Sequence, residues 1–71
     1  MTLSEIKQAL KEGKRVFHHH EGYEVFTGFY PDGEQYFNIT CLQNDYTIGL
    51  TWRDGVTMNG KEQDFYEHKN A

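Results

Sequence analysis

Three consecutive histidines, His18, His19 and His20, followed at once by Glu21, are the residues of this chain best supplied for chemistry. Imidazole titrates in the physiological range and is a common metal ligand. Their spacing argues against a shared metal, because consecutive side chains of a strand point to opposite faces. His19 is then expected to point inward beside Phe17, His18 outward, and His20 to sit in a turn. A zinc site needs three or four ligands in a tetrahedral arrangement with hydrogen-bond partners behind them, and the one remaining imidazole, His68, lies in the tail. His18 and His20 stand only as a minor alternative, a metal- or pH-responsive element, and no cofactor is expected.

Nucleophiles and acid pairs are no better placed. Ser4 falls in the first turn of an expected helix, and Cys41, the only cysteine, falls on the expected core face, where a thiol behaves as a small hydrophobe. The eleven carboxylates lie mainly in turns and the tail, which suits solvation rather than a catalytic dyad. Seven glycines are spaced as hairpin punctuation, with no phosphate-cradling loop. The chain is therefore not expected to be an enzyme.

What is left is aromatic. Five Tyr, five Phe and one Trp take a large share of a hydrophobic content of 37%. Those not needed for a core are Phe26, Tyr30 and Tyr36, which strand alternation groups with Val16 and Arg53 on a second sheet face, among Glu24, Asn38, Thr40, Thr47 and Thr51. Tyr36 has a structural role as well, since its ring can lie over Gly28 opposite. Aromatic rings and Arg among short polar residues are the composition of protein-binding patches, so Phe26, Tyr30, Tyr36 and Arg53 are the expected partner-binding residues. Stacking of nucleic-acid bases on such rings would need a basic frame. The net charge is −4, distributed as +2 over residues 1–15 and −6 over residues 16–71, which makes nucleic acid an unlikely partner.

The elements that must position these residues are legible in outline. Thr2 and Glu5 form a capping box with Met1 and Ile6 as a hydrophobic staple, Leu3, Ile6 and Leu10 share one side, and Gly13 is a stop. The spacing predicts a helix over about 3–12. From Arg15 onward, loops of the form acid-Gly at Glu21-Gly22, Asp32-Gly33 and Asp54-Gly55 each suit a three-residue hairpin, and Asn44-Asp45 suits a two-residue one. Strands are expected at about 15–19, 23–30, 34–43, 46–52 and 56–59, with the tail at 61–71 left unassigned. The turns pair Tyr23 with Cys41, Val25 with Ile39 and Thr27 with Phe37, then Cys41 with Ile48, Ile39 with Leu50 and Phe37 with Trp52. Carried outward, Trp52 faces Val56, Leu50 faces Met58 and Phe17 faces Val25. The expected core face is Phe17, Val25, Phe37, Ile39, Leu50, Trp52, Val56 and Met58. The predicted fold is α+β, an N-terminal helix packed on one face of a four- to five-stranded antiparallel β-meander, in a single domain spanning 1–71.

A lone cysteine permits no intramolecular disulfide, Met1 to Ala9 lacks the apolar core of a signal peptide, and no apolar run approaches the length that spans a bilayer. A cytoplasmic, non-membrane protein is expected. In size, acidity and hairpin content the chain resembles the small acidic accessory proteins of phages and other mobile elements. That likeness implies an inhibitor or regulator that binds another protein. The expectation is a non-catalytic module whose partner is a protein or a second copy of itself. The alternative is an acidic nucleic-acid mimic, presenting its acidic turns and Glu62, Asp64 and Glu67 to a cationic groove.

Overall fold

The computed structural model describes residues 1–68; positions 69–71 of the unassigned tail lie outside them. Helix α1 runs Leu3–Lys11 and begins with the capping box: the Glu5 amide donates to Thr2 Oγ1 at 3.2 Å, and the Thr2 amide donates to Glu5 Oε1 at 2.8 Å. A cap of this kind stabilises a helix by about 1 kcal/mol. At the other end Gly13 takes φ +79°, while its amide donates to the Leu10 carbonyl at 3.1 Å and the Lys14 amide to the Ala9 carbonyl at 3.0 Å. This is a glycine-closed helix end that a side chain with Cβ would strain.

Five antiparallel strands follow: β1 Val16–His18, β2 His20–Phe29, β3 Gln35–Cys41, β4 Thr47–Gly49 and β5 Phe65–Glu67, in the order β4-β3-β2-β1-β5. The first four form a meander, and a short turn at Glu62–Asp64 lays β5 along the free edge of β1. The helix covers one face. Beneath it Ile6, Ala9, Val16, Val25, Ile39, Leu50 and Phe65 form the core, with Phe37 and Met58 packed against it. No helix among the described residues is long and apolar enough to cross a membrane.

The central hairpin has the register the turns dictate: Tyr23 opposite Cys41, Val25 opposite Ile39, Thr27 opposite Phe37 and Gly28 opposite Tyr36. Asp32 holds this turn by accepting the Glu34 amide at 2.9 Å, with Gly33 at φ +92°. Farther out, three expectations are corrected. The loop between β3 and β4 has four residues, Leu42 to Asp45, because the Cys41 amide donates to the Tyr46 carbonyl at 2.8 Å. Ile39 therefore faces Ile48 and not Leu50. A two-residue loop would force both Asn44 and Asp45 to positive φ, whereas here only Asp45 adopts it, at +60°. A slip of two preserves the faces, so Leu50 remains in the core.

The next loop slips by one, and Trp52 and Val56 leave the core while Leu50 and Met58 keep their places. Asp54 Oδ1 accepts the amides of Val56 and Thr57, each at 2.9 Å, and its Oδ2 accepts the Thr57 hydroxyl at 2.6 Å. These bonds draw Val56 into a four-residue loop, so Thr51 pairs with Met58 in an isolated bridge and no strand forms at 56–59. Trp52 and Val56, expected in the core, are 64% and 73% exposed. Phe65 of β5 supplies the core aromatic instead.

The third correction lies in β1. Val16 pairs with Val25, Phe17 with Glu24 and His18 with His20, with a bulge before His18 and His19 in the left-handed region at φ +69°. Val16 thus faces the helix and Phe17 the opposite side, the reverse of the expected arrangement. Phe65 enters the core opposite His18, two positions along β1 from Val16 on the same face, and Val16 joins Ile6 and Phe65 in that core. His18, expected outward, returns to the helix side.

Candidate functional site

Alternation from the observed pairs places Phe17, Glu24, Phe26, Gly28, Tyr36, Asn38, Thr40 and Tyr66 on the face away from the helix. Over β1 and β5 that face is closed by the chain's own side chains. Arg15 grips Glu24 with both ends of its guanidinium, Nε to Oε2 at 3.0 Å and Nη2 to Oε1 at 2.8 Å. Its guanidinium carbon also lies 5.0 Å from the centre of the Phe17 ring. Tyr66 and His68 complete the enclosure, with ring centroids 5.9 and 5.5 Å from Phe17. The hydrogen bonds to Glu24 raise the Arg15 pKa above its ordinary value, which fixes the guanidinium in its charged form. Phe17 is buried as fully as the core, and Glu24 is 7% exposed yet satisfied.

Over β2 and β3 the same face stays open. Phe26 is 42% exposed and Tyr30 projects from the end of the hairpin. Tyr36 lies across Gly28 as expected, so closely that a Cβ at position 28 would come within 2.6 Å of its Cζ. Its ring supports Tyr30, the two centroids being 5.0 Å apart. Tyr30, Tyr36, Asn38, Gly49, Thr51 and Gly55, with Lys7, Gln35 and Phe37, line a shallow depression of about 310 Å³. Of the expected binding residues, Tyr30 and Tyr36 touch, and Phe26 shares their sheet face. Arg53 opens the 53–56 loop, two residues before Gly55, and is exposed, without a hydrogen bond or ion pair among the described residues. Trp52, just before this loop, and Val56, within it, are exposed, where strand alternation predicts core. The signal was present in the spacing of Asp54 and Thr57, an Asx turn that lengthens the loop by one residue.

The histidine run divides among three environments. His18 stacks on Phe65 with centroids 4.4 Å apart and packs against Gly60, where a Cβ would approach its Nε2 to 2.7 Å. This burial lowers its pKa, against a partly offsetting attraction to Asp64. His19 forms the tight turn, and His20 Nδ1 accepts the Gly22 amide at 2.9 Å while its ring lies on Tyr23. Among the described residues no three His, Cys, Asp or Glu side chains come together so as to hold a metal ion. Cys41 is half-buried beside Tyr23, and Ser4 is exposed in the first turn of α1.

No protein-family model, curated protein or solved structure matches this chain.

Proposed function

We propose that this domain is a non-catalytic protein-binding module, engaging a protein partner or a second copy of itself through Phe26, Tyr30 and Tyr36, with Arg53 at the rim. The observation that carries this reading is the uneven treatment of one sheet face. Half of it is covered by Arg15, Tyr66 and His68, while the adjoining half leaves large rings in water. Rigid aromatic rings set on paired strands give contact area at little conformational cost. A module of this size acts by occupying another protein's surface, as an inhibitor or regulator does, and its single cysteine suits a reducing, cytoplasmic setting.

The acidic turns have structural work that mimicry of nucleic acid does not explain: Asp32 and Asp54 cap their own loops, and Glu12 and Glu67 pair with Lys14. The test is site-specific photocrosslinking in the native host, with a benzophenone side chain at position 26 or 30 and a control at the exposed position 43. A discrete adduct from 26 and 30 but not from 43 is expected. Adducts from position 43 alone, or dependence of binding on Asp32 and Asp54 but not Phe26, would overturn the reading.

A further inference from the structure

Beside the depression at Tyr30 and Tyr36, α1 and the Thr27, Phe29 and Gln35 end of the sheet line a groove of about 680 Å³, within the usual size range of ligand clefts. Its apolar floor is Leu10, Phe29 and Phe37, and Phe29 is 69% exposed, although alternation turns it toward the helix side. Among the described residues the only charged side chains lining it are Lys7 and Lys11, on a chain with eleven acids against seven Lys and Arg. Sequence alone assigns these lysines to covering the edge of the core with their aliphatic stems, and Lys7 does place its ammonium 5.2 Å from the centre of the Phe37 ring. Their charge is nevertheless unspent. Lys14, one turn on, is held by Glu12 at 3.5 Å and Glu67 at 3.2 Å, whereas Lys7 and Lys11 have no ion pair among the described residues.

We infer that this groove is a second binding site, for a peptide segment of a partner protein that carries carboxylates on either side of an aromatic or aliphatic side chain. The two ammonium groups take the carboxylates, and the exposed Phe29 ring and Leu10 take the apolar side chain. The remaining lining is amide and hydroxyl, such as Gln35 and Ser4, which can hydrogen-bond a peptide backbone and offer nothing to an alkyl chain. Charge complementarity selects the sequence class: a basic segment would be repelled in the groove, and a neutral one would leave both lysines uncompensated. The groove borders the Tyr30 and Tyr36 depression, with Lys7, Gln35 and Phe37 lining both, but Lys11, Leu10 and Phe29 belong to it alone and distinguish its test from that of the aromatic face.

The test is titration of the isotope-labelled protein with an acetylated, amidated Glu-Phe-Asp-Leu-Glu peptide, followed by amide chemical shifts. Expected are shifts confined to Lys7, Lys11, Phe29, Phe37 and their neighbours, weakening with added salt. Replacing the peptide's acids by amides, or its apolar residues by alanine, should each reduce affinity. The double variant Lys7→Gln, Lys11→Gln should weaken binding about tenfold. Lys7→Arg, Lys11→Arg should restore it, which separates charge from any loss of packing on Phe37. Phe29→Ser should weaken binding with the thermal transition unchanged, as suits an exposed ring. Equal binding of the amide peptide, shifts mapped to Phe26 and Tyr30, self-association through the groove, or binding of laurate in place of the peptide would each overturn the inference.

Discussion

The two halves of the helix-free sheet face have similar materials and opposite fates. Over β1 and β5, Phe17 meets a guanidinium that is itself anchored to Glu24, with Tyr66 and His68 against its ring, and Phe17 is 2% exposed. Over β2 and β3, Phe26 and Tyr30 stay 42% and 55% exposed, while Tyr36 is half-buried, lying over Gly28 and against Tyr30. An aromatic ring on an open sheet therefore becomes structural when one cation is positioned to roof it, and otherwise remains at the surface. Arg15 can act as a roof because it precedes β1 directly and finds a carboxylate on β2 to fix its direction.

The comparison breaks most visibly under truncation of its rings. Phe17→Ala should destabilise the domain by about 3–5 kcal/mol, the usual cost of emptying a buried aromatic site, whereas Phe26→Ala should change stability by about 0.5 kcal/mol or less. Urea denaturation of the pair measures both. Equal losses would mean that the two halves are not different in kind.

A smaller loss is expected from Arg15→Ala, which leaves Glu24 buried without its partner. Replacing both residues together, as Arg15→Met with Glu24→Leu, should recover much of that stability, since the Arg15 side chain is 55% exposed and no buried carboxylate is then left without its partner. A double-mutant cycle gives the coupling, and a value near zero would show that the fork does not hold the roof in place.

The smallest effect sharpens the register of β1, which puts Phe17 on the sealed face and His18 on the other. Burial lowers the His18 pKa below its ordinary value of 6.5. The unfolded chain then binds the proton more readily, so the contribution of neutral His18 is complete above about pH 6.5 and is lost as pH falls toward the lower folded pKa. Glu5, Glu12 and Asp54, whose pKa values are lowered from 4.5, 4.5 and 3.8, stay ionised in that window. The melting temperature of the wild type should therefore fall more between pH 7 and 5.5 than that of His18→Phe, measured by calorimetry. Parallel curves would place His18 in water and the bulge elsewhere.

The sequence made the central hairpin and its helix readable because each rests on local chemistry: the Thr2 and Glu5 box, the Asp32-Gly33 turn, and the alternation of Val25 with Ile39. Tyr36 over Gly28 followed from that register alone. What escaped was decided by distant or competing partners. The side of β1 that faces the helix depends on Phe65, some fifty residues away in the chain and unassigned by pattern. The exposure of Trp52 goes with Thr57 capturing Asp54, a three-residue spacing that shifts one loop by one position and leaves Trp52 and Val56 outside the core. The candidate site was accordingly legible at Phe26, Tyr30 and Tyr36, which the central hairpin carries. It was less so at Arg53, which the shifted loop moves off the sheet.

The central proposal is that the open half exists to bind and the sealed half to fold, and the most direct test measures both properties on one protein. In the double variant Phe26→Ser, Tyr30→Ser, the melting temperature should stay within about 4 °C of the wild type, as expected for exposed positions. Its affinity for the crosslinked partner, or for a second copy if the adduct is a dimer, should fall about thirtyfold or more, the loss typical of central interface aromatics. A collapsed melting temperature with unchanged affinity would contradict the account and make the open rings part of the fold.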